Sequence, residues 1–192
     1  MKAPSDPLRS DARRNRDAVV DAATELLARK PEAAMREIAD ASGLGRTTVY
    51  RHFPTREDLI LAIFERIVEE GRAVSVEAIA AGGGAEAVLR RIGVAFAGIG
   101  ARYRFLEAHQ DLGQQALKDS VMEDEPLLVW ARTAHARGEL ASSLTPEWIY
   151  GMISPLAMGA SEELASGRVG EDEAARMLGE TLVRAFAAQP PR

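Results

Sequence analysis

The feature that most constrains this chain is a glycine, Gly43, set between two short helical patterns in residues 35–59, MREIADASGLGRTTVYRHFPTREDL. Ile38 and Ala39 belong to the first pattern, whose next apolar positions, Ala41 and Leu44, bracket Gly43. Glycine turns at positive φ without a steric cost, so the first helix ends there. Residues 45–53 then predict a second helix in which Val49 and Phe53, four apart, point inward. The opposite face carries Arg46, Thr47, Thr48, Arg51 and His52. A small residue at Ala39 lets the two helices cross closely, which frees the second to enter a DNA major groove. In that geometry Thr47 and Thr48 touch base edges or a thymine methyl, whereas Arg46, Tyr50 and His52 donate to phosphates. The plain alternative is a helical corner of no DNA-binding significance, and simple corners rarely combine all these features.

The run from Ile38 to Phe53, followed by Thr55-Arg56-Glu57-Asp58-Leu59, closely resembles the DNA-binding domain of the TetR family of bacterial transcriptional regulators. The resemblance covers roughly residues 13–67, and its Tyr-x-x-Phe before an acidic helix start is specific. Two departures stand out. Met35 takes the place of a frequent Ser or Thr helix cap, and Arg56 takes the place of a usual Lys that grips backbone phosphate. Arginine is also a phosphate donor, so the resemblance implies a DNA contact for Arg56 as well.

Composition narrows the rest. The 192 residues are 46% hydrophobic but only 5% aromatic, and alanine is plentiful, which favours helices over sheets. With no cysteine there is no disulfide, thiolate metal site or thiol redox switch. The first residues hold no apolar core of signal-peptide length, and nowhere do apolar residues run on for a membrane span of about 18 residues. These features predict a soluble cytoplasmic protein. The net charge of −5 argues at first against a nucleic-acid partner, but residues 1–56 carry 11 Lys and Arg against 8 Asp and Glu, a balance of +3, and residues 57–192 carry 13 against 21, a balance of −8. Such segregation fits one DNA-facing end and a body that does not touch DNA.

The chain divides on this reading into an arm over residues 1–10 with Pro4 and Pro7, a helix-turn-helix domain over 11–56, and a regulatory and dimerisation domain over 57–192. Asp11 or Ser10 caps a first helix that runs to Arg29, with Val19, Ala22, Ala23, Leu26 and Leu27 as its buried stripe. Arg9, Arg13, Arg14 and Arg16 cluster at its start, as a solvated basic face or as contacts to phosphate and the minor groove. Thr55 caps a long helix that persists to Ala80 and links the DNA-reading unit to the body. Residues 81–84, AGGG, read as a flexible connector, since no strand precedes them and no phosphate-loop Lys follows. Further helices are predicted over 85–108, 111–120, 125–137, 146–165 and 171–188.

Two of these have broad apolar faces: Trp148, Ile149, Met152, Ile153 and Leu156 on one, Leu178, Leu182 and Phe186 on the other. The family resemblance implies that these C-terminal helices pair across a twofold axis in a homodimer; the alternative is that both stripes are consumed within the monomer. It also implies a small-molecule cavity in the body, for which Phe96, Gly100, Tyr103, Arg104, Leu128, Trp130 and Met158 are the candidate lining. An aromatic-poor, apolar body suits an apolar or amphipathic ligand. His109 and His135 lack a ligand-spacing motif, so neither a metal nor a cofactor is expected. No stretch supplies a nucleophile elbow or an oriented acid-base pair, so no enzyme is expected.

The sequence therefore predicts an all-α protein, with an N-terminal three-helix helix-turn-helix domain joined by a long helix to a C-terminal helical ligand-binding and dimerisation domain. The implied function is a DNA-binding transcriptional regulator, a repressor released from a palindromic duplex operator by a ligand. The alternatives are a helical dimeric interaction protein and a DNA-binding regulator without an inducer.

Overall fold

Helical hydrophobic spacing governs every long element of the computed structural model, which describes residues 7–109, 111–112 and 124–188. Among these residues the elements are α1 (Pro7–Arg29), α2 (Met35–Ala41), α3 (Arg46–His52), α4 (Arg56–Ala80), α5 (Gly84–Tyr103), a 3-10 segment Arg104–His109, α6 (Pro126–Ala136), α7 (Pro146–Ala165) and α8 (Glu171–Phe186). The fold is all-α; its only strand-like feature among the described residues is an isolated antiparallel bridge between Leu140 and Ala187. No helix among them is long and apolar enough to cross a membrane.

Several helix ends follow from local chemistry. Thr55 and Asp58 cap α4 reciprocally: Asp58 N–H donates to Thr55 Oγ1 at 3.1 Å, and Thr55 N–H and Oγ1 donate to Asp58 Oδ2 at 3.0 and 2.7 Å. Thr145 Oγ1 accepts from Trp148 N–H at 3.2 Å, with Pro146 at the first position of α7. The helix α1 starts earlier than expected, at Pro7, because a proline ring presets the helical φ and the first turn needs no amide donor. Residues 7–10 of the expected arm are therefore helical; residues 1–6 lie outside the described residues, as does most of the helix expected over 111–120. Met35 is the first residue of α2 and not its cap, which is Ala34; Glu37 compensates by accepting from Ala34 N–H at 2.9 Å.

Residues 81–84 form a corner and not a loose connector. Gly82, Gly83 and Gly84 take φ of 65°, 93° and 77°, values that only glycine adopts freely. The Arg91 guanidinium closes the corner by donating to Ala78 O at 3.0 and 2.8 Å and also to Gly82 O, satisfying carbonyls at the end of α4.

The described residues fall into two units, the first holding residues 7–66 with 105–109 and 111–112, the second Ile67–Arg104 with residues 124–188. The first three turns of α4 bury Leu59, Ile60 and Ile63, and Arg66 pairs with Asp17 and Asp21 of α1 at 3.2 and 3.0 Å. In the second unit α5 packs along α8 and α7, and α7 along α6. There the shape of two glycines decides the spacing: a Cβ on Gly93 would lie 2.5 Å from the Gly179 backbone, so α5 and α8 cross with backbone against backbone.

Candidate nucleic-acid interface

The turn between α2 and α3 is built as its residues dictate. Gly43 has φ of 69°; Ser42 Oγ donates to Ala39 O at 2.8 Å and accepts from Leu44 N–H at 3.3 Å, which fixes the chain on either side of it. Ile38, Ala39, Val49 and Phe53 are buried. That burial leaves Arg46, Thr47, Tyr50 and Arg51 exposed on α3, with Thr48 and His52 half-buried beside them. Six of the seven predicted DNA contacts thus share one short helix, and their individual settings differ.

Arg46 is held from α2: Asp40 Oδ1 accepts from its Nε at 3.3 Å and its Nη2 at 3.1 Å, and Oδ2 accepts from Nη2 at 3.2 Å. His52 departs from its expected role as a phosphate donor. Its Nε2 is buried with no partner, and burial, followed by the nearby Arg51 and Arg16 charges, pushes its pKa below the usual histidine value. A neutral ring packed against Phe53 supplies little attraction for phosphate. Arg56 is also otherwise engaged, since its guanidinium donates to Pro31 O at 2.7 Å and to Ala33 O, tying down the loop between α1 and α2.

The sequence did not suggest the supporting roles that three residues take here. Asp40 gave no signal, because it lies six residues from Arg46 across a turn where helical periodicity does not apply. Arg16 stacks over the Phe53 ring at 5.5 Å and pairs with Glu65 at 2.7 Å, so it braces the end of α3. Lys30 donates to Glu37 at 2.8 Å; this bond, and then the Ala34 N–H, holds the Glu37 carboxyl below the usual range. Arg13 and Arg14 stand exposed on α1, Arg14 bonded to Asp11; the Arg9 side chain is outside the description.

The second unit does not gather the seven expected ligand residues into one wall. Leu128 is core, and Phe96 and Trp130 pack against that core. Gly100 serves a helix crossing, where a Cβ would collide with Ser161 of α7. Arg104 faces solvent and Met158 is 48% exposed, so neither lines an interior. Tyr103 is buried and donates to Glu70 at 2.6 Å; burial, then that bond, raises its pKa to about 12. Nearby in polarity is an ion pair the sequence did not suggest, in which buried Glu125 accepts from Arg72 at 2.8 and 3.0 Å. A small cleft of about 150 Å³ does exist, lined by Val94, Gly98, Ala160, Leu164 and Ala175 among others, and none of the seven expected residues belongs to it.

The expected dimer face is also corrected. Ile149, Ile153, Leu178, Leu182 and Phe186 are buried in the unit's own core, because α5 covers the inner stripes of α7 and α8. Met152 and Leu156 are half-buried, and Trp148 remains 58% exposed.

Residues 19–63 match the sequence profile described as "Bacterial regulatory proteins, tetR family". That likeness to the family lies in the helix-turn-helix region. A stretch of 93 residues is 41% identical to the HTH-type transcriptional repressor LfrR of Mycolicibacterium smegmatis; this match spans 48% of each chain, about half the length of that relative. Among solved structures, the TetR-like regulator LfrR from Mycobacterium smegmatis in complex with proflavine superposes with a TM-score of 0.68 at 24% identity, over 92% of this chain and 98% of that one. A TetR-family regulator from a Rhodococcus species gives 0.68 at 19% identity over 89% and 97%. NalD, a secondary repressor of an efflux pump in Pseudomonas aeruginosa, gives 0.60 at 19% over 92% and 98%. At these identities the structural likeness shows a shared all-α fold.

Proposed function

We propose that the chain is a sequence-specific DNA-binding transcriptional regulator that acts as a homodimer, a repressor released from its operator by a small molecule. The observation that carries this reading is the two-sidedness of α3, with Val49 and Phe53 buried and Arg46, Thr47, Tyr50 and Arg51 turned outward beside half-buried Thr48. A structural helix of seven residues has no need of so polar an outer face. Thr47 and Thr48 read base edges, and Tyr50 and Arg51 contact phosphates, while His52 and Arg56 brace the unit that presents them. The similarity of 93 residues of the chain to the repressor LfrR supports the same reading.

Dimerisation uses what the monomer leaves uncovered. Trp148, Gly151, Pro155, Met158 and Gly159 are exposed at helical spacing on α7, and Met177 is exposed on α8. Isolated exposed apolar side chains are ordinary, but Trp148, Met158 and Met177 on paired helices suit an isologous contact with a second copy. A dimer would set two recognition helices about 34 to 36 Å apart on a palindromic site. The helix α4 runs unbroken from the first unit into the second and is the covalent route by which a ligand bound in the body alters DNA affinity; a coupling of about 1 to 3 kcal/mol changes it roughly 5 to 150-fold.

The test is selection of bound duplexes from a random pool at about 0.15 M salt, where non-specific phosphate attraction is screened. Recovery of a palindrome is the expected result, and proflavine, found in the LfrR structure, is the first molecule to try for its release. Recovery of no motif would overturn the reading.

A further inference from the structure

We propose that Asp40 and Arg46 form one base-reading unit, in which Arg46 reads a guanine in the major groove and Asp40 is the positioning residue that aims it. This rests on the DNA-binding reading above and assigns Arg46 a different role from the phosphate donor the sequence suggested. Arg46 is the first residue of α3, the end of a recognition helix that meets base edges. Asp40 lies near the end of α2 and accepts from one edge of the guanidinium, Nε together with Nη2, at 3.1 to 3.3 Å. A guanidinium has two such edges. With Nε and Nη2 turned to Asp40, the Nη1 end of the guanidinium is bonded to neither Asp40 oxygen, and it is this end that is aimed at the O6 and N7 acceptors of guanine.

Charge decides between base and phosphate. An arginine meant for phosphate contributes its full positive charge, and a carboxylate bonded to it would repel the phosphate and cancel most of that attraction. Guanine presents neutral acceptors, for which direction matters more than net charge, so a paired arginine loses little there and gains a fixed aim. Both side chains are exposed, 57% for Arg46 and 59% for Asp40, so the pair adds little to folding stability. Its geometry is the more informative property.

The experiment takes the duplex selected by the wild-type protein and measures binding to single-base variants at each position, at two salt concentrations. Wild type, R46A, R46K and D40N are compared, with thermal unfolding confirming that each variant is folded. The proposal expects R46A to lose a guanine preference on the order of 10 to 100-fold at one position per half-site. R46K, which keeps the charge but loses the fork, should lose the same preference while holding scrambled DNA as well as wild type does. D40N should blunt the preference and tighten binding to scrambled DNA, because a negative charge has gone. Uniform weakening of all duplexes by R46A, with the salt slope falling by about 1, would make Arg46 a phosphate contact and overturn the proposal. An intact guanine preference in D40N would overturn the positioning role. A wild-type protein that selects no motif would defeat the underlying DNA-binding reading, an outcome distinct from a selected motif that lacks an Arg46-dependent guanine.

Discussion

Two residues that look like DNA contacts in the sequence, Arg56 and His52, are engaged within the fold. Arg56 stands at the start of an acidic helix, where a phosphate donor is plausible, yet its guanidinium is spent on the carbonyls of Pro31 and Ala33. Arg56→Ala should therefore lower the stability of the first unit by about 1 to 3 kcal/mol in denaturant unfolding. It should leave the salt slope of DNA binding unaltered; a slope reduced by one unit would restore the phosphate role. His52 makes the same point through protonation. Its folded-state pKa lies below the ordinary 6.5, so the folded protein binds a proton less readily than the unfolded chain. Stability from the neutral ring is present above pH 6.5 and is lost as pH falls through and below that value. Unfolding measured from pH 8 down to about 5 should show this loss, and His52→Gln should flatten the profile across that window. Neither role was legible from the chain, since each depends on partners brought in by the fold: carbonyls 23 and 25 residues away for Arg56, and the packing around Phe53 for His52.

Helices were legible where their ends carry their own chemistry. The bounds expected for α7, residues 146–165, hold, with Thr145 and Pro146 at one end and Gly167 at φ of 71° just past the other. The long α4 ends at Ala80 as its spacing predicted. The covering of each helix was not legible, because periodicity identifies an apolar stripe but not its neighbour. Ile149, Ile153, Leu178, Leu182 and Phe186 read equally well as interface or core, and α5 makes them core. Nor could the sequence reveal that Gly93 and Gly179, 86 residues apart, meet at a crossing with no room for a methyl group. Gly93→Ala should force α5 and α8 apart and destabilise the second unit by about 1 to 3 kcal/mol or more, despite alanine's better helix propensity. Gly98→Ala is the control: it meets nothing within 4 Å on the same helix and should be neutral or mildly stabilising. Equal effects at the two sites would contradict the close crossing.

For the molecule as a whole, the monomer's own core removes most of the candidates for an interface and leaves a shorter set. Replacing Trp148 and Met177 with glutamate should convert a dimer into a folded monomer in sedimentation, because both side chains lie outside the core and a central aromatic anchor is commonly worth about 2 kcal/mol or more. Retention of the dimer would place the contact elsewhere. Leu178→Glu should behave differently and unfold the second unit, since that side chain is only 3% exposed. The segregation of charge is legible at this scale without any structure: +3 over residues 1–56 against −8 over the remainder favours approach to DNA by one end.

A carboxylate bonded to the first cation of α3 also bears on how quickly DNA is searched. A protein finds its site by sliding and hopping along duplexes that hold it only through phosphate attraction. If the chain acts as proposed, then with Asp40 already neutralising Arg46 each wrong sequence would retain it more weakly and release it sooner. Residence time on decoy DNA would fall, and more of the genome would be sampled between one encounter with an operator and the next.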